Sequence, residues 1–155
     1  MQTRRDLLSH SARVAGLLAA AGLLPSLALA QGGGWNKAAF DAKTLAEALK
    51  ALGAGAPAES KDVTITGPDI AENGAVVPIG AATIVPGAKR LLVLVEKNPS
   101  ALAAMFDLSD AVEANVSTRV KMGQSSNVYA VALTGDGKVL FAQKEVKVTL
   151  GGCGG

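Results

Sequence analysis

Between Val112 and Met122 the chain alternates strictly. Val112, Ala114, Val116, Thr118, Val120 and Met122 fall on one side of a two-residue period, and Glu113, Asn115, Ser117, Arg119 and Lys121 on the other. Successive strand side chains point to opposite faces, so this run fits a strand with one buried and one solvated face and does not fit a helix. Such a strand requires neighbours of its own kind, and the sequence supplies them. Val63 to Thr66 is a short candidate. Lys89 to Glu96 contains Leu91, Leu92, Val93, Leu94 and Val95, an apolar run expected to be buried on both faces. Asn127 to Leu133 and Val139 to Leu150 flank Gly135-Asp136-Gly137, which predicts a β-hairpin.

Other segments complete the pattern. Asn73-Gly74 is a turn signal. The stretch after it, Ala75 to Ala81, contains Pro78, which predicts an edge strand or a bulge. Asn98 to Asp110 reads as irregular or briefly helical. Upstream, Asn36 can cap a helix from Lys37 to Leu52, with Phe40, Thr44, Leu45, Ala48, Leu49 and Leu52 on one face and Gly53 ending it. Six or seven short strands separated by turns predict a mainly β fold: an immunoglobulin-like antiparallel β-sandwich with an N-terminal helix. No Cys–Trp–Cys framework is present, so the expectation concerns architecture and not a true antibody domain. About a hundred residues suffice for one core of this kind.

The start of the chain reads as an export signal. Thr3-Arg4-Arg5-Asp6-Leu7-Leu8 has the twin-arginine pattern, with Leu7 where such leaders often carry Phe. A mainly apolar stretch runs from Val14 to Leu29, and Ala28-Leu29-Ala30 is a small-x-small cleavage site. The stretch is short for a membrane span, which needs about 20 residues, and it contains Gly16, Gly22 and Pro25. The expected organisation is therefore a signal peptide over 1–30, a β-sandwich domain with its leading helix over 31–150, and an arm over 151–155. Cleavage after Ala30 would leave a protein off the membrane, in an oxidising compartment: the periplasm, reached by the twin-arginine route.

Cleavage also changes the chemistry available. It removes Arg4, Arg5 and Arg13 from 15 basic residues and Asp6 from 13 acidic ones, leaving 12 of each and no net charge. No basic stripe remains to bind nucleic acid. The single histidine, His10, leaves with the leader. Without it the chain builds no Ser-His-Asp or Cys-His pair and lacks the cluster of a typical zinc or copper site. No nucleotide-binding loop follows a strand. Carboxylates such as Asp107 and Asp110 sit at turn positions, where Asp is commonly a solvated turn former. No cofactor, no metal and no catalytic residue is assigned.

The sequence closes on Gly151-Gly152-Cys153-Gly154-Gly155, and Cys153 is the one cysteine. Glycine has no side chain to bury and loses much entropy on ordering. The segment therefore reads as a flexible arm carrying a thiol, with Gly151 to Cys153 reaching roughly 10 Å when extended. A merely disordered end and an intermolecular disulfide are the competing readings.

The terminal pentapeptide, the twin-arginine leader and the strand-rich body together resemble the SoxY family, the cysteine-bearing subunits of the SoxYZ sulfur carrier of bacterial thiosulfate oxidation. The resemblance runs along the whole chain. It implies that Cys153 is the covalent attachment point for pathway intermediates. The haem enzyme SoxAX would join thiosulfate to the thiol as a cysteine S-thiosulfonate. The hydrolase SoxB would release the terminal sulfone as sulfate and leave a persulfide. SoxCD, where present, would oxidise the outer sulfur. It further implies a heterodimer with SoxZ and no catalysis by the chain itself. Two rivals stand beside it: an exported β-sandwich assembly module with an interchain disulfide through Cys153, and a thiol enzyme acting alone, for which no base is visible.

Overall fold

The computed structural model describes residues 36–150. Two short helices lead: α1 (Lys37–Asp41) and α2 (Leu45–Ala51). Nine strands follow: β1 (Ala58–Glu59), β2 (Val63–Thr66), β3 (Ile70–Asn73), β4 (Val77–Thr83), β5 (Ala88–Val95), β6 (Leu102–Asp107), β7 (Asn115–Val120), β8 (Ser126–Thr134) and β9 (Val139–Leu150). They form two sheets. The larger has the order β1-β9-β8-β5-β6, with β3 also pairing β9, and the smaller is β2-β4-β7. Pairing is antiparallel except where β1 and β3 run parallel to β9. The mainly β sandwich expected from the sequence is the fold observed.

β5 explains the layering. Leu91 to Val95 are all fully buried. Leu91, Val93 and Val95 point between the sheets, where they meet Ile79, Val77, Val120, Met122, Val128 and Val146. Leu92 and Leu94 point the other way, into a second cluster with Ala39, Ala48, Leu49 and Val131 beneath the helices. Both faces of this strand therefore lie under cover, as its unbroken apolar run requires. Each such side chain contributes about 1.5–3 kcal/mol relative to exposure.

Four expectations need correction. The single helix is two, because Thr44 starts a new one. Its hydroxyl accepts from the Glu47 amide at 3.2 Å, while the Glu47 carboxylate accepts from the Lys43 amide at 2.9 Å. Ala42 is extended, and its carbonyl accepts from the Ala101 amide at 2.9 Å, tying the break to the β5–β6 connection. Second, β4 is the centre of the small sheet and not an edge. Pro78 is tolerated there because β2 has already ended. Thr66, its last residue, lies opposite Gly80, and Pro78 has a partner only in Arg119 of β7. Third, the segment read as irregular or helical contains β6, which pairs with β5. Fourth, the alternation beginning at Val112 is strand only from Asn115. Val112 lies in a turn closed by its amide on the Ser109 carbonyl at 3.2 Å, and is 58% exposed.

Candidate functional site: the root of the C-terminal arm

The residues singled out from the sequence, Arg4, Arg5, Ala28, Ala30, Gly151, Gly152, Cys153, Gly154 and Gly155, lie outside the described residues. The structure does describe the strand that delivers the arm. β9 runs for 12 residues and ends at Leu150, three positions before the cysteine. Its start is set by the hairpin, where Gly137 takes φ 87°, a left-handed conformation that glycine adopts without a Cβ penalty. Asp136 sits in that turn. Hydrogen bonds from Lys138 and Thr134 hold its carboxyl down to about 2.

β9 outruns its main neighbour. The first residue of β8, Ser126, pairs with Val146, so residues 147–150 extend beyond β8. Two devices hold this overhang. On the outer side β3 pairs with it in parallel, Ile70 opposite Lys147, Ala71 opposite Val148 and Asn73 opposite Leu150. The Lys147 amide donates to the Asp69 carbonyl at 2.9 Å, the Thr149 hydroxyl to the Glu72 carbonyl at 3.0 Å, and the Gly74 amide to the Leu150 carbonyl at 2.7 Å. On the side vacated by β8, Ser125 stands in for a strand. Its hydroxyl accepts from the Val148 amide at 2.9 Å and lies 3.5 Å from the Val148 carbonyl, to which it donates. Asp69 and Lys144 form an ion pair at 2.5 Å across the same corner. That hydrogen bond and the ammonium charge hold the Asp69 carboxyl below the usual carboxylate range.

Sequence reasoning missed β3 and Ser125. The signal for β3 was slight: four residues, of which only Ala71 is buried, between Pro68-Asp69 and the Asn73-Gly74 turn.

Other features lie far from the end of β9. A cavity of about 390 Å³ opens between Leu52, Lys89, Arg90, Asp107, Leu133 and Lys138. It borders Val139, at the opposite end of β9 from Leu150, a separation of roughly 36 Å along the strand. The carboxylates considered above are surface ion pairs, Asp107 with Arg90 at 2.5 Å and Asp110 with Lys89 at 3.1 Å. Among the described residues no group of three or more His, Cys, Asp or Glu side chains could hold a metal ion.

Comparison with known proteins gives this corner its context. A family model described as sulfur oxidation protein SoxY matches residues 48–153. The chain belongs to the SoxY family. The match begins in α2, spans every strand and closes on Cys153. Among solved structures, the sulfur carrier protein SoxY from Chlorobium limicola f thiosulfatophilum is 37% identical. It superposes with a TM-score of 0.59, covering 66% of this chain and 92% of that one. A superoxide reductase from Ignicoccus hospitalis is 16% identical with a TM-score of 0.47, covering 56% of this chain and 79% of its own. No curated protein matches the sequence. Within the SoxY match, the overhang of β9 and its clamps lead directly to the matched cysteine.

Proposed function

We propose that this chain is a periplasmic sulfur carrier, which holds thiosulfate-derived groups on Cys153 and presents them to separate enzymes. The observation that carries the reading is the SoxY family match through Cys153, on an arm that begins where β9 ends. In the first step the Cys153 thiol and thiosulfate become a cysteine S-thiosulfonate, releasing one proton and passing two electrons to the haem enzyme SoxAX. Water then attacks the terminal sulfone under SoxB. Sulfate and two protons leave, and a cysteine persulfide remains. SoxCD, where present, oxidises that outer sulfur to a cysteine S-sulfonate, with oxygen from three waters, release of six protons and transfer of six electrons to SoxCD; a second hydrolysis by SoxB then releases sulfate and frees the thiol. The chain contributes attachment and reach. A thiol ordinarily titrates near ~8.5 and is activated by nearby cations; the residues flanking Cys153 are all glycine, so activation falls to the enzyme that receives the arm. SoxZ is the heterodimer partner, and the leader containing Arg4 and Arg5 is the route out of the cytoplasm.

The test is replacement of Cys153 by serine in a reconstituted thiosulfate-oxidising system, with intact-mass analysis of the native protein alongside. The expected result is loss of turnover with folding and SoxZ binding preserved, and wild-type adducts spaced by sulfur- and sulfite-sized masses. Substantial turnover by the serine variant would sink the proposal. A quantitative covalent dimer would favour the disulfide-linked assembly module instead.

A further inference from the structure

The distribution of charge around the arm root is uneven. Three segments meet there: the β3–β4 turn, the β7–β8 loop and the end of β9. They are joined by the Gly74 amide on the Leu150 carbonyl at 2.7 Å, the Met122 amide on the Gly74 carbonyl at 2.7 Å, and the Val148 amide on Ser125 at 2.9 Å. The sequences that meet, 73–80, 122–128 and 148–150, contain no charged residue. Val76 and Leu150 stand on this pole 53% and 70% exposed. Charge begins at its margin, with Glu72, Lys121 and Lys147 all exposed. Lys97 and Glu96 lie just beyond, on the β5–β6 connection that Asn98 bonds to the β7–β8 loop. The opposite pole differs: Asp62, Lys89, Asp107, Asp110, Glu113, Asp136 and Lys138 crowd the other strand ends there. An uncharged centre with exposed apolar groups inside a charged margin is the anatomy of a protein-binding patch.

Tether length says what must sit on it. Two residues, Gly151 and Gly152, separate Leu150 from Cys153, so the sulfur stays within roughly 13 Å of the Leu150 Cα, counting three Cα steps and the side chain. An enzyme whose reacting centre lies at the bottom of a cleft spends most of that length on the cleft itself. Its mouth must then come into contact with whatever surrounds Leu150. Val76 follows Gly74 by two residues, within one tether length.

We infer that this pole is a docking face, on which Val76 and Leu150 seat against an uncharged, apolar cleft mouth shared by the enzymes that act on Cys153. The inference rests on the carrier reading and adds to it the surface that is recognised. Specificity resides in the folded pole, and the glycine arm is free to be featureless. Ile84 is the natural control: it is 81% exposed but lies past the far end of β4, roughly 26 Å along the strand from Val76 and out of contact with any cleft that the arm enters.

The experiment uses the mature chain with SoxZ and compares Val76→Asp, Leu150→Asp and Ile84→Asp. Two rates are read by intact mass: loading of Cys153 by thiosulfate with SoxAX, and uncatalysed labelling of the thiol by a small aromatic disulfide. The expected result is a fall of tenfold or more in kcat/KM for enzymatic loading of the Val76 and Leu150 variants, carried mainly by KM. Labelling, thermal midpoint and SoxZ binding should stay near wild type. Ile84→Asp should load like wild type. The inference is overturned if the Val76 and Leu150 variants load normally, or fall no further than the Ile84 variant. It is also overturned if they lose SoxZ, which would make the pole the subunit interface. Failure of the carrier reading looks different: wild type itself then takes no adduct, and the docking face goes with it.

Discussion

Replacing Ser125 with alanine should loosen the arm root and little else. The Ser125 hydroxyl is the partner of the Val148 amide at 2.9 Å, on a side of β9 where β8 has already ended. Val148 is half-buried against the inter-sheet core, so its amide regains only part of its hydration when the hydroxyl is removed. Leaving a buried donor unmatched costs roughly 1–3 kcal/mol, and partial solvation places this case at about 1–1.5 kcal/mol. The loss is local, because the overhang opens without disturbing the pairing of Val146 with Ser126. Native-state hydrogen exchange is the assay. The Val148 amide should exchange about 5- to 13-fold faster in the variant, the factor that this energy implies. Amides of Val131 and Leu92, in the core of the sheet, should be unchanged. Unaltered exchange at Val148 would show that Ser125 is not what holds the overhang. Equal acceleration at Val131 would show that the overhang is not a separate unit from the sheet.

Three further outcomes are expected. Replacing both Gly151 and Gly152 with valine should slow enzymatic loading of Cys153 while leaving the thiol open to small reagents, since branched side chains stiffen and widen the arm; loading at the wild-type rate would refute this. Changing Arg4 and Arg5 to lysine should keep both this chain and SoxZ out of the periplasm, because we propose that the pair is exported together; fractionation that finds SoxZ there in normal amounts would show independent export. Asp136→Asn should weaken the β8–β9 hairpin at neutral pH and flatten the acid limb of the stability curve. The folded-state pKa of Asp136 is depressed to about 2 against an unfolded value near ~3.9. The stabilisation is therefore present above the unfolded value and lost as pH falls toward the folded one. Equal slopes for the two proteins between those values would refute the assignment.

The strands that carry dense apolar pattern were legible in the sequence. β2 and β9 have the expected ends, and β5 is buried on both faces as its run of Leu and Val demands. Strands whose existence depends on a neighbour were not. β6, Leu-Ala-Ala-Met-Phe-Asp, has residues that suit a helix equally well, and pairing with β5 decides its state. β3 has one buried side chain and exists because the end of β9 offers it a free edge. Pro78 misled for a related reason: the proline rule applies residue by residue, and a central strand has edge-like positions wherever its neighbour stops. The expected thiol arm, Gly151 to Gly155, lies outside the described residues. The clamp of β3 and Ser125 arises only from the relative lengths of β8 and β9, which no local pattern reports.

Under the carrier proposal, the clamp on β9 would make the segment after Leu150 a device for concentration. With Leu150 held by β3 and Ser125, covalent reach alone sets an upper bound of roughly 13 Å on the distance from Leu150 to the Cys153 sulfur, and one thiol in a half-sphere of that radius would amount to about 0.4 M. On the proposed carrier reading, a docked enzyme would meet that concentration however scarce the chain is in bulk. The benefit falls with the cube of reach, so an arm twice as long would dilute its own cargo about eightfold. If the chain carries sulfur as proposed, a short tether on a pinned root would keep its cargo dense where an enzyme consumes it.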